Sequence, residues 1–299
     1  MLQGGIFMNV IEINHVTKDY GNQKGVVDIS FTVKKGEVLG FLGPNGSGKT
    51  TTIRQLMGFI HPDQGNVSIL DKDCFQDADI IQKSVGYLPG EIAFMDEMTG
   101  DEFIHFIAKL KNINNMQHVN ELIDFLELDP RGKMKKMSKG MKQKIGLVIA
   151  FMQDAPILIL DEPTSGLDPL MQNKFVELIQ KAKKDGKTVL MSSHIFEEVE
   201  NTCDRVIMIK DGKMIANETM ENIKNQKHKH YDLVFVNDEE AIDFTKKYSC
   251  ERHENKVSLQ YSGDINVLIQ QLSQYHLIDF NTRVQTLEEL FLHYYGGDQ

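Results

Sequence analysis

One octapeptide constrains this 299-residue chain more than anything else in it: Gly43-Pro44-Asn45-Gly46-Ser47-Gly48-Lys49-Thr50. An apolar, strand-like run over 37–42 precedes it, and a helical pattern opens at Lys49. The spacing G-x-x-x-x-G-K-[ST] in a strand–loop–helix setting reads as a phosphate cradle. Its glycines let backbone N–H groups turn inward and approach phosphate oxygens closely. The helix N-terminus behind the loop adds partial positive charge. Lys49 then reaches the β and γ phosphates, and the Thr50 hydroxyl binds Mg²⁺.

The surrounding pattern supplies the fold that such a loop needs. Strand-like runs at 10–16, 27–33, 66–70, 84–88, 157–160 and 188–191 alternate with helical segments, which predicts an α/β fold. Thr99-Gly100-Asp101-Glu102 is a capping box. Phe103, Phe106, Ile107 and Leu110 then fall on one helix face, and Val119, Leu122, Ile123 and Leu126 repeat the pattern. A helical insert of about 91–155 is therefore expected inside the α/β core. Residues 205–209 and 214–216 flank the turn dipeptide Asp211-Gly212 and read as a hairpin. The basic stretch 224–230 reads as a linker to a small α+β appendage over 231–299. There, 231–236 and 257–261 look like strands, and 238–248, 265–275 and 286–294 look helical.

Composition excludes several functions. Lys and Arg number 33 against 43 Asp and Glu, a net charge of −10. Nucleic-acid binding needs clustered Lys and Arg, so no nucleic-acid partner is expected. Positive potential for a phosphate must then be local. The longest clean apolar stretch, 145–152, is far short of the about 20 residues that span a bilayer. The N-terminal residues show no secretion signal. Cys74, Cys203 and Cys250 are far apart with no metal-ligand spacing, and read as reduced thiols in a cytosolic protein.

A second chemical feature is the apolar strand Ile157-Leu158-Ile159-Leu160, ending in Asp161-Glu162. A wholly apolar run suits a buried parallel strand, and ligands of open α/β sheets bind beyond the carboxyl ends of strands. Asp161 there holds Mg²⁺, directly or through water. Glu162 points the other way, placed to take a proton from attacking water.

The order of the phosphate cradle, Met137-Ser138-Lys139-Gly140-Met141-Lys142-Gln143, Asp161-Glu162-Pro163-Thr164-Ser165-Gly166-Leu167-Asp168-Pro169 and Ser192-Ser193-His194 resembles the ATPases of ABC transporters over about residues 9–220. The resemblance implies a P-loop NTPase core with an antiparallel β subdomain and a helical insert, a nucleotide-binding domain over 9–222. It implies ATP and Mg²⁺ as cofactors, with ATP sandwiched between two subunits. Gly43, Pro44, Asn45, Gly46, Ser47, Gly48, Lys49, Thr50 and Thr51 would hold the nucleotide in one subunit. Ser138 and Gly140 of the signature segment would face the opposing site, and Asp168 would cross the interface, whether or not it also caps the next helix. His194 resembles the γ-phosphate sensor and Tyr20 the aromatic that stacks on adenine. Glu162, His194 and Lys49 would carry hydrolysis, and Thr50 and Asp161 the metal.

Two departures stand out. Lys139 replaces the family's first signature glycine, and either adds positive charge near the phosphate or points to solvent. Gly90, in Tyr87-Leu88-Pro89-Gly90-Glu91, replaces a glutamine that touches Mg²⁺ and water, leaving water or Glu91 to substitute. Ile92, Phe94, Met95 and Met98 either meet a membrane partner or close the core under the insert. The resemblance implies a homodimer, or another paired ATPase, working with separate membrane-spanning permease chains. It would lie in the cytoplasm, attached to the inner face of the membrane through the permease. The variants around 87–91 and 138–144, with the ending 284–293, resemble the ATPase subunits of bacterial drug, antibiotic or peptide exporters. The alternatives are a soluble ABC-type ATPase acting on ribosomes or DNA, and a nucleotide-binding regulator without turnover.

Overall fold

Two sheets carry the N-terminal part of the computed structural model, which describes residues 8–22, 24–226, 229–261, 263–284 and 286–289. Strands β1 (Asn9–Asp19), β2 (Gly25–Lys34), β4 (Gln64–Ile69) and β5 (Lys72–Asp73) form an antiparallel sheet in the order β2-β1-β4-β5. A second sheet has the order β10-β9-β3-β8-β7-β6, from β3 (Val38–Leu42), β6 (Val85–Leu88), β7 (Ile157–Asp161), β8 (Thr188–Ser193), β9 (Arg205–Lys210) and β10 (Lys213–Thr219). Its pairings are parallel except for the β9–β10 hairpin. This is the expected α/β core with its antiparallel subdomain.

Burial explains the parallel strands. Every residue of β3, β7 and β8 is buried, so their middles read as apolar runs and the polar residues Asp161, Thr188, Ser192 and Ser193 stand only at strand ends. Ile11 and Ile13 of β1, Phe41 of β3 and Ile159 of β7 join one core between the two sheets. Helices α1 (Lys49–Leu56) and α2 (Ala78–Ile81) add Ile53, Leu56 and Ile81 to this core, while α6 (Pro169–Lys184) and α7 (Phe196–Thr202) pack on the parallel sheet at β8 and β3.

Between β6 and β7 the chain is helical: α3 (Gly100–Leu110), α4 (Gln117–Phe125) and α5 (Lys139–Phe151). Thr99 and Glu102 form the reciprocal capping box read from the sequence. The buried face of α3 is rotated from the expected one: Phe103, Ile104 and Ala108 are buried, while Leu110 lies exposed at the helix end. Ile92 and Phe94 pack inward. Ile92 lies against Gly146 of α5, and the Phe94 ring stands edge-on to Phe103 with centroids 5.4 Å apart. Met95 remains exposed.

The chain divides into two compact units after Met220. Helix α8 (Met220–Gln226) runs through the division. The second unit contains β11 (Lys229–Phe235), α9 (Asp238–Lys247), β12 (Glu251–His253), β13 (Lys256–Gln260), α10 (Ile265–Leu272) and β14 (Leu277–Val284). Its sheet order, β12-β13-β11-β14, is wholly antiparallel and gives the β-α-β-β-α-β arrangement of a ferredoxin-like fold. Tyr231, Leu233, Phe235, Phe244, Val257, Leu259 and Leu268 form a core of its own. Residues 224–230 were expected as a linker. Instead α8 continues to Gln226 and β11 starts at Lys229, with 227 and 228 outside the described residues. Of the helix expected over 286–294, only 286–289 are described. Among the described residues no helix is long and apolar enough to cross a membrane.

Candidate nucleotide site

The loop after β3 is held from behind. Gly46 (φ 83°) and Gly48 (φ 110°) occupy left-handed backbone that favours glycine. A Cβ on Gly48 would stand 2.4 Å from Val26 Cγ1, and one on Gly43 would stand 2.3 Å from the Ile209 carbonyl. The Asp211-Gly212 turn closes this packing: the Gly212 N–H donates to the Ser47 carbonyl at 3.1 Å. Gly48 has no side chain to cap α1, and no acid lies in its first turn. The N–H groups there therefore keep their pull on an anion. The Lys49 stem is buried, and its Nζ donates to the carbonyls of Gly43 at 2.6 Å and Pro44 at 3.2 Å. Pro44, Asn45 and Gly46 form the exposed rim, and Thr50 and Thr51 are half-buried. Ser47 Oγ is buried without a hydrogen-bond partner.

The end of β7 faces this loop. Asp161 is fully buried, and its Oδ1 accepts from Ser192 Oγ at 2.5 Å. The same Ser192 oxygen accepts from the Glu162 N–H at 3.0 Å, so one hydroxyl fixes both acids. Glu162 has φ 49°, a left-handed conformation that is uncommon for a residue of its size and concentrates at functional turns. Its Oε1 lies 3.1 Å from Lys49 Nζ, an ion pair without hydrogen-bond alignment, since Oε1 has no bonded partner. Its Oε2 is 2.5 Å from His194 Nδ1. An ionised carboxylate only accepts, so Nδ1 is the donor there.

Asp161 also answers whether these residues fit Mg²⁺. Its Oδ2 is buried and unpartnered, a hard oxygen with a free lone pair. Gly90 sits against it, where a Cβ would come within 3.0 Å of Oδ2. The donor chemistry and the cleared space fit the ion, with Asp161 and Thr50 as the protein groups to hold it. Among the described residues there is no cluster of three acidic, His or Cys groups. Beside this acid, burial and then the charge of Asp161 push the Tyr87 hydroxyl up to about 12.

The signature segment opens α5. Ser138 caps it, accepting from the Met141 N–H at 3.2 Å. Lys139 is neither unbound in solvent nor idle: its Nζ donates to Ser165 Oγ at 2.8 Å, while its stem covers Gly166. A Cβ on Gly140 would lie 2.7 Å from the Gly166 carbonyl, so the two backbones meet. Asp168 caps α6, accepting from the Met171 N–H at 3.0 Å, with Pro169 in the first turn. The Tyr20 ring is 51% exposed, with Lys18 Nζ 5.9 Å from its centre. Glu91, offered as a substitute for the glutamine, is exposed.

Three residues carry contacts to which the sequence reading gave no role, two of them inside segments it quoted. Ser192 ties the two acids. Gln143 of α5 donates to the carbonyls of Glu162 at 3.2 Å and Pro163 at 2.8 Å. Glu198 is buried on α7. The hydroxyl pair at the end of an apolar strand was the available signal for Ser192. A single buried Gln or Glu on a helix leaves no periodic signal.

A phosphate loop at the end of a central parallel strand, facing two acids at the end of the next strand but one, defines a P-loop nucleoside triphosphatase. Comparison with known proteins narrows this. A family model described as ABC transporter matches residues 26–165. The bacitracin transport ATP-binding protein BcrA of Bacillus licheniformis is 31% identical over 300 residues, 96% of this chain and 98% of that protein. The linearmycin resistance ATP-binding protein LnrL of Bacillus subtilis is 35% identical over 212 residues, 69% of this chain and 68% of that protein. The dimeric structure of a bacterial ABC transporter cassette superposes with a TM-score of 0.64 at 25% identity, covering 70% of this chain and 98% of that one. The chain belongs to the ABC transporter ATP-binding proteins and is an ATPase of that family.

Proposed function

We propose that this chain is the ATP-hydrolysing motor subunit of a membrane exporter for drugs, antibiotics or peptides. The observation that carries the hydrolytic part is Glu162, whose carboxylate bridges Lys49 and His194 at the end of β7. Glu162 takes the proton of the attacking water. Lys49 and the backbone of Gly43–Thr51 hold the β and γ phosphates. His194 senses the γ-phosphate and reports it to Glu162, and Tyr20 stacks on adenine. Thr50 and Asp161 hold Mg²⁺, which neutralises developing charge on the phosphates when bound.

Residues 9–222 act as the nucleotide domain, with 91–155 as its helical insert and 231–299 as an accessory domain. Ser138, Gly140 and Asp168 then face the nucleotide of a second copy or a paired ATPase. ATP would close the pair and hydrolysis would release it, a cycle gated by the γ-phosphate. Relatives named for bacitracin transport and linearmycin resistance support the exporter reading. Separate permease chains would hold this subunit at the inner face of the membrane, and exposed Met95 is a point for that contact. Affinity purification of the full chain from detergent-solubilised membranes of its natural host tests this. Recovery of a polytopic membrane chain that stimulates phosphate release supports the reading; recovery with ribosomes alone refutes it.

A further inference from the structure

Glu198 lies outside every motif above, yet it is only 6% exposed and points back at the site. Ser193 Oγ donates to its Oε2 at 2.6 Å. That same Ser193 oxygen accepts from the Ile195 N–H at 2.9 Å, so the residues on either side of His194 hang on one hydroxyl. Thr164, two residues beyond Glu162, lines the same cavity as Glu198. The helix that carries it is steadied in the same place, because Thr202 Oγ1 donates to the main-chain carbonyl of Glu198 at 2.7 Å.

We propose that Glu198 is a positioning residue for hydrolysis: through Ser193 its carboxylate holds the turn that carries His194 beside the turn that follows Glu162. The inference rests on the roles given above to Glu162 and His194. A filler would not need this chemistry. Oε1 is buried without a hydrogen-bond partner, a cost that an apolar side chain at the same place would not incur. The neighbouring groups offer the charge no compensation. Glu162 faces it from the end of β7, and the Cys203 thiol, pushed up to about 12 by burial, lies behind it on its own helix side. From α6 come the neutral Gln172 and Asn173, while Lys183 of that helix is paired with Asp204. Among the described residues, no basic side chain lines the cavity of about 260 Å³ beside Glu198, though Glu197 does. Burial, and then the charge of Glu162, raise the Glu198 carboxyl to about 7, against the bonds from Ser193 and Thr164.

The ionised carboxylate accepts more strongly than the acid, so the tie tightens as Glu198 loses its proton. The test is ATP hydrolysis by the full chain from pH 6 to 8, with Mg-ATP, in wild type, Glu198→Gln, Glu198→Ala, Ser193→Ala and the Glu198→Ala/Ser193→Ala pair. Loss of the tie misplaces the His194–Glu162 contact, and is expected to lower kcat roughly 10- to 100-fold with KM for ATP nearly unchanged. Ser193→Ala should match Glu198→Ala, and the pair should be no worse than either alone. Glu198→Gln, which keeps an acceptor for Ser193, should fold and lose the inflection near pH 7. A Glu198→Gln profile that superimposes on wild type, or full kcat in Glu198→Ala, overturns the inference. Normal hydrolysis by Glu162→Gln, run alongside, would instead overturn the reading on which it rests.

Discussion

The ammonium of Lys49 lies 3.1 Å from Oε1 of Glu162, so the cation proposed for phosphate and the base proposed for water neutralise each other. A γ-phosphate must compete with this carboxylate for Lys49. Removing the negative charge from residue 162 therefore does two things. Turnover falls by a factor of about 10² or more, the usual worth of a general base. ATP affinity rises a fewfold, about what one partly exposed ion pair contributes. Glu162→Gln should show both, by phosphate release and by equilibrium titration with Mg-ATP. Turnover within about twofold of wild type would remove Glu162 from the base role.

Lys49 has a second duty. Its Nζ also ties down the carbonyls of Gly43 and Pro44, so its loss loosens the loop as well as the phosphate grip. Lys49→Ala should weaken ATP binding by roughly 10- to 100-fold, the weight of one lost charge-assisted contact. Unchanged nucleotide affinity in a fluorescence titration would refute the cradle assignment.

Gly90 is where a family glutamine was missing, and the structure gives a reason for glycine. A Cβ there would sit 3.0 Å from Asp161 Oδ2 and 3.3 Å from its Cγ. Asp161 is fully buried and pinned by Ser192, so it has little freedom to retreat. Gly90→Ala should raise the Mg²⁺ concentration for half-maximal hydrolysis severalfold while leaving Mg-free nucleotide binding intact. An unchanged Mg²⁺ dependence would show that Asp161 does not hold the ion.

Burial raises the Glu198 carboxyl from 4.5 to about 7, with the Glu162 charge adding to the effect. Between those pH values the folded chain keeps a proton that the unfolded chain has lost. The acid's contribution to stability is thus full below about pH 4.5 and is lost as pH rises to about 7. The full shift corresponds to about 3 kcal/mol at pH 8. Glu198→Gln, which cannot ionise, should melt higher than wild type at pH 8, and the gap should shrink towards pH 5. Thermal unfolding at the two pH values checks this; a gap independent of pH contradicts it.

The parts of the site that were legible in the sequence are contiguous. Gly43–Thr50 and Asp161-Glu162 are short segments whose spacing states their chemistry, and the fold adds only their mutual approach. What was not legible depends on contacts across distant segments. Gln143 reaches the carbonyls of Glu162 and Pro163, and Glu198 reaches Ser193, through side chains that any surface helix can carry. The same limit applied to the second unit. Strand β12 is three exposed polar residues, and β14, at the other edge of the sheet, mixes Asp279, Asn281 and Arg283 with Ile278 and Phe280. Edge strands of this kind are specified by the neighbour they pair with rather than by alternation. Lys229 and His230 looked like linker for the same reason, because only their partners in β13 and β14 make them strand.

The strand that delivers the phosphate loop has a further consequence, one for the birth of the molecule. β3 ends at Leu42, but its two neighbours are β8 and β9, which begin at Thr188 and Arg205. A ribosome emits the loop first, and the flanks that hold it, starting at Thr188 and Arg205, emerge only much later. Pairings so remote in sequence close slowly and only after a large entropic cost. Nascent chains therefore carry an apolar, unpaired β3 until β8 and β9 have emerged, the kind of segment that chaperones shield. Nucleotide binding becomes possible only once almost all of the first unit has left the exit tunnel.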